Sequence, residues 1–164
     1  MRKLKQMSGY YVLLSIVLSV LVTGCTSIRP EIRFQEPDPS SQLHFDYTSY
    51  ARLLKTYVND RGRVNYKELA ARPEDVEYFY AQIAAYSPDS NPELFPDEKA
   101  QLAYWINSYN LTTIKGVLYR YPLTSVADVS PPALLFFFPS KSGFFFFQRF
   151  TYGGAETSLY GLEN

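Results

Sequence analysis

Cysteine and histidine are nearly missing from this chain, which has one of each, Cys25 and His44. A lone cysteine excludes an internal disulfide, and a lone histidine cannot build a zinc site by itself. No motif implies a metal or another cofactor. An excess of one charge is also lacking, because 16 basic residues face 16 acidic ones. Three of the basic residues, Arg2, Lys3 and Lys5, sit at the extreme N-terminus, so the remainder is slightly acidic. That balance argues against a general nucleic-acid binder, which needs a basic face. There is no internal repeat. The longest mainly apolar run, Tyr10 to Val22, is short for a bilayer span, which takes about 20 residues.

Aromatic residues, by contrast, are abundant: 15 Tyr and 12 Phe. Each buries a large area, so a chain of one-domain length can still close a core. The organising stretch runs from Phe95 to Tyr121. Leu102, Trp105, Ile106, Tyr109, Thr113 and Val117 recur at helical spacing. Asp97 and Glu98 lie at the positive end of the helix dipole, and Pro122 ends the run. No charge appears between Ala100 and Ile114. Leu111 and Leu118 fall opposite Trp105, which predicts a buried central helix over about 97–120, apolar on nearly every face. Gln101, Asn107, Ser108 and Asn110 exclude a membrane span.

Before it, Asp46 or Thr48 can cap a helix reaching about Asn59, with Tyr50, Leu53, Leu54 and Tyr57 as its apolar stripe. Gly62 marks a turn. Asn65 and Glu68 form an N-cap-to-N3 pair for a short helix. Pro73-Glu74-Asp75 opens another helix that stops before Ser87-Pro88. After the central helix, Thr124 or Ser125 can cap a single turn. The Phe-rich runs 134–138 and 144–147 read as a buried hairpin or as an irregular aromatic plug. A membrane- or partner-contacting patch is the weaker reading of that segment. Phe145 to Tyr152 reads as a strand that turns at Gly153-Gly154 and returns, a small antiparallel hairpin near 144–157. Ser158 caps a final short helix. The fold class expected is α+β, mainly helical.

The N-terminus combines a basic segment, an apolar run and Val22-Thr23-Gly24-Cys25. This order resembles the lipobox of bacterial lipoproteins, in which the chain is cut before the cysteine and its thiol is acylated. The organisation expected is a signal peptide over 1–24, a proline-punctuated tether over 25–42 and a domain over 43–164. Acylation of Cys25 leaves no free thiol for catalysis or metal binding. Two or three acyl chains anchor a protein stably. Thr26, rather than Asp, follows the cysteine, which implies outer-membrane sorting with the domain facing the periplasm. The membrane is then the partner reached through the anchor, while any ligand or protein partner stays open.

Asn107 and Asn110 are the candidate site-lining residues. Asparagine is a poor choice inside a helix because its amide competes for backbone hydrogen bonds. Two of them three apart project to one side, and both are expected to be buried and partnered. They either pin neighbouring segments or present amides to a ligand, as oxyanion donors do. No nucleophile or base is visible beside them, so no catalytic residue is assigned.

Three blocks in order carry a wider resemblance: YARLLKTYVNDRGRVNYKEL, QLAYWINSYNLTTIKGVLYRYP and GGAETSLYGLEN. Together they resemble the bacterial and plant family catalogued as domain of unknown function number 547, over about residues 45–164. The resemblance implies no settled activity. Its members often carry a signal peptide or lipobox, in agreement with Cys25. In that family the last helix continues and a later block carries histidine and cysteine. Here Glu163 matches an acidic position and Asn164 stands near a common histidine. The chain is therefore expected to be a fragment, inactive as it stands, with apolar surface exposed near 134–162. A hydrolase- or transferase-like enzyme completed by the missing block is the alternative to a non-enzymatic anchored domain.

Overall fold

In the computed structural model of this chain, the structure describes residues 26–31, 44–135 and 137–164. They form a mainly helical α+β fold with a small three-stranded sheet. The elements in chain order are β1 (Thr26–Ile28), α1 (Thr48–Tyr57), α2 (Tyr66–Ala71), α3 (Glu74–Ala85), α4 (Glu98–Tyr119), α5 (Gly143–Phe147), β2 (Gln148–Tyr152), β3 (Ala155–Ser158) and α6 (Leu159–Glu163).

The helix boundaries follow local capping chemistry. Asp97 accepts the backbone N–H of Ala100 at 2.8 Å and starts α4. Asn65 accepts from the Glu68 N–H and starts α2, the N-cap-to-N3 contact expected from sequence. Ser158 starts α6 through the Gly161 N–H at 3.1 Å. Ser125 accepts from the Ala127 N–H at 3.2 Å and opens a single 3-10 turn over Val126–Asp128. At α1 the work falls to Asp46, whose carboxylate accepts both the N–H and the hydroxyl of Thr48. Each contact satisfies a donor that the helix geometry leaves orphaned.

The sheet order is β1-β2-β3, with β1 parallel and β2–β3 antiparallel. Thr26 pairs with Gln148 and Ile28 with Phe150, while Tyr152 pairs with Ala155 across the Gly153-Gly154 turn. Both glycines adopt positive φ, 53° and 86°, which a two-residue hairpin turn of this hand requires. The turn also ends α3: the N–H groups of Gly153 and Gly154 donate to the carbonyls of Ile83 and Ala84 at 2.9 and 2.8 Å. Gln148, Phe150 and Tyr152 point inward in strict alternation. The Tyr80 phenol ties the sheet to α3, donating to the Ile28 carbonyl and accepting the Thr151 N–H at 3.1 Å.

Three expectations need correction. Thr26–Ile28, placed in the tether over 25–42, is an edge strand, and its Ile28 is 2% exposed. Residues 26–31 therefore belong to the domain, and the rest of the tether and the whole signal segment lie outside the described residues. The hairpin spans 148–158, not 144–157, because Gly143–Phe147 is helical. A Cβ at residue 143 would stand 2.3 Å from the Val129 carbonyl oxygen, so glycine permits a close approach there that starts a turn rather than a strand. That turn buries Phe144 completely and leaves Phe145, Phe146 and Phe147 half-buried.

The third correction concerns α4. It spans the expected residues but is not covered on every side: Leu102 and Ile106 are 60% and 52% exposed. Besides Ile114, Gly116 and Val117, its buried residues are Tyr104, Ser108, Leu111, Thr112 and Lys115. The latter five recur at i, i+4, i+7, i+8 and i+11, so they share one stripe. The polar atoms of Tyr104, Thr112 and Lys115 go inward with partners, while the Ser108 hydroxyl is buried without one among the described residues. Tyr104 donates to the Tyr86 carbonyl at 2.7 Å, and the hydroxyls of Thr112 and Tyr152 lie 2.9 Å apart. Hydroxyls and an ammonium with partners can take core positions that hydrophobicity alone assigns to leucine and isoleucine.

Candidate functional site

Cys25 lies outside the described residues. Asn107 is half-buried and Asn110 is exposed, so the expected burial of both amides is not found. Asn110 does have a neighbour on another segment. Its side chain lies close enough to the Tyr50 phenol to offset part of the upward shift in pKa that burial imposes on Tyr50. That proximity sets Asn110 of α4 beside α1. Asn107 and Asn110 do not line the cavity described next.

The cavity has a volume of about 220 Å³ and is lined by Glu31, Glu77, Lys115, Leu118 and Tyr119, with Ala70 and Pro73 completing it. Lys115 comes from the buried stripe of α4, Glu77 from the facing side of α3, and Glu31 from the chain just after β1. The Lys115 and Glu77 side chains are only 4% and 7% exposed and form a direct ion pair. The Glu31 carboxylate, 69% exposed, lies 3.4 Å from the Lys115 ammonium. Glu77 also accepts the backbone N–H of Glu31 at 3.2 Å. One ammonium thus joins α4, α3 and the β1 extension.

Chemically, the cluster offers an ammonium donor at its base, one buried carboxylate acceptor and a second carboxylate nearer solvent. Tyr119, more than half exposed, supplies an aromatic wall. The Lys115–Glu77 pair is neutral and Glu31 brings the cluster to a net −1, so it can hydrogen-bond a small polar molecule but does not attract an anion by charge. Among the described residues no group of three or more His, Cys, Asp or Glu side chains is placed to hold a metal ion.

Sequence reasoning missed both members of the buried pair, yet a signal was present. Glu77 shares a helical face with Tyr80 and Ala84, and Lys115 shares one with Tyr104, Ser108 and Leu111. A charge within a buried stripe needs a partner, and two such stripes on neighbouring helices point to each other.

A second polar feature lies apart from that cavity. The Gln148 and Gln82 side chains are fully buried, and neither amide has a hydrogen-bond partner among the described residues. Gln148 opens β2 at the sheet end where β1 also begins.

No family model matches this chain, and neither the curated proteins nor the solved structures contain a match to it.

Proposed function

We propose that this chain is a lipid-anchored protein of the bacterial cell envelope, cut before Cys25 and held by acyl chains on that residue. Its folded part is a domain of the family catalogued as domain of unknown function number 547. The observation that carries the reading is the order of basic residues Arg2, Lys3 and Lys5, apolar run Tyr10 to Val22, and Val22-Thr23-Gly24-Cys25. None of the described helices is long and apolar enough to cross a membrane. Thr26 after the cysteine favours the outer membrane, with the domain in the periplasm. Within the domain, the cavity at Lys115 and Glu77 is the place best built to receive a small polar molecule.

Metabolic labelling with palmitate tests the anchor. The wild-type chain should take up label and mature to a shorter form. Cys25→Ala should take up none and accumulate as precursor. Label and processing that survive Cys25→Ala would refute the proposal.

A further inference from the structure

Resting on that anchored reading, we propose that the aromatic surface formed by Phe137, Phe138, Phe146, Phe147 and Tyr160 is the face on which this domain lies against the lipid headgroups of its membrane. Two independent features meet at one end of the sheet. The first is the route of the chain. β1 and β2 are parallel and in register, Thr26 beside Gln148. The chain therefore enters β1 from Cys25 and β2 from Phe147 at the same end. Cys25 is one peptide bond from Thr26, so its Cα lies within about 3.8 Å of the strand's first Cα. With β1 beginning there, no flexible spacer separates an acyl group on Cys25 from the sheet.

The second feature is what surrounds that end. Phe137 is 68% exposed and packs on Phe138 at 5.0 Å between ring centroids. Phe138 meets Phe147 edge-on at 5.1 Å. Phe146, 6.1 Å from Phe138, stacks on Tyr160 at 4.2 Å. Tyr160 is itself 46% exposed. The rings form one connected surface rather than scattered exposed residues, and a connected apolar patch marks a contact site. Gln148 and Arg149, which follow the phenylalanines in sequence, do not interrupt it: Gln148 is fully buried and Arg149 turns to the Glu156 carbonyl at 2.9 Å.

The chemistry fits a bilayer interface. Tyr160, a ring with a polar edge, favours the headgroup level of a membrane, and the four phenylalanines suit the boundary between headgroups and acyl chains just below it. Ala133 to Phe147 contains no carboxylate, and its single charge, Lys141, is exposed. That charge suits the phosphates of an anionic leaflet. The acyl chains supply attachment, and the aromatic face then sets orientation, with the Gly153-Gly154 turn pointing away from the bilayer.

The test uses the full acylated chain. Cys25 is the only native cysteine, so Phe137→Cys adds the one thiol that a fluorophore can take once Cys25 is acylated. Ala155→Cys is the comparison site. It is exposed and pairs with Tyr152 at the opposite end of β2, about 13 Å further along the strand. Each labelled protein is placed in protein-free vesicles of phosphatidylethanolamine and phosphatidylglycerol containing a headgroup-level nitroxide lipid. Palmitate incorporation is measured in parallel. The label at 137 should lose about half its emission, as a group at the headgroup level does, and the label at 155 should lose little. Acylation with equal quenching at both sites would overturn the membrane face and leave the anchor standing. Quenching confined to native membranes would mean that a protein covers the face, and would also overturn it. Absence of acylation would overturn the anchor and this inference with it.

Discussion

Replacing Lys115 with methionine removes the ammonium from a buried pair while keeping the length and apolar stem of the side chain. Both partners are almost sealed, at 4% and 7% exposure. Glu77 would be left with the Glu31 N–H at 3.2 Å as its recorded donor. Breaking a buried ion pair from one side costs about 3–5 kcal/mol, because the remaining charge stays desolvated and uncompensated. A domain of this size is stable by only about 5–15 kcal/mol, so Lys115→Met should remove a large share of its stability. With a urea dependence of about 2 kcal/mol per molar, the midpoint should fall by about 2 M. The double variant Glu77→Leu/Lys115→Met should recover most of that loss, since an apolar pair of similar volume replaces both charges. Glu31→Gln should cost only about 0–1 kcal/mol, since the Glu31 carboxylate is 69% exposed. Urea titrations followed by circular dichroism measure all three. A loss below about 1 kcal/mol for Lys115→Met, equal to that of Glu31→Gln, would show that the pair behaves as a solvated surface contact and would refute the reasoning.

Gly153→Ala should destabilise by at least about 1–2 kcal/mol from its left-handed backbone alone, and more than Gly154→Ala, because a Cβ at 153 would stand 2.3 Å from the Ser87 hydroxyl while one at 154 meets nothing within 4 Å. Thermal melts of the two variants give the comparison. Gln148→Met should stabilise by about 1–3 kcal/mol, since it removes a fully buried amide without partners; a lower urea midpoint would contradict that. Burial pushes the Tyr80 phenol from 10.0 up to about 12, and it pushes Tyr104 and Tyr152 upward as well. The folded state therefore holds these protons more tightly than the unfolded chain does. Their contribution is complete below pH 10 and is lost as pH rises from there through the folded values, so urea midpoints should fall steadily above pH 10.

The legible parts of the fold were those written in local chemistry. Asp97, Asn65, Ser125 and Ser158 each sit at a helix start, where a short oxygen-bearing side chain meets orphaned N–H groups. Gly153-Gly154 identified the hairpin because few other residues accept two successive positive φ values. What escaped was decided by partners far away in sequence. Thr26–Ile28 is a strand because β2, more than a hundred residues later, offers it an edge. The inward side of α4 takes Tyr104, Thr112 and Lys115 among its apolar residues because Tyr86, Tyr152 and Glu77 wait there with acceptors and a countercharge. The phenylalanine run turns as a helix because Gly143 fits against Val129. Asn107 and Asn110 drew notice as unusual helix residues, but neither is fully buried, whereas Lys115 and Glu77 are.

The central claim is that the domain hangs from Cys25 by lipid. Intact-mass and peptide mass spectrometry of the protein purified from bacterial membranes tests it most directly. The account predicts a mature N-terminus at Cys25 that carries acyl chains, and no alkylatable thiol. A mature chain that begins at another residue, or a Cys25 that reacts with iodoacetamide, would contradict it.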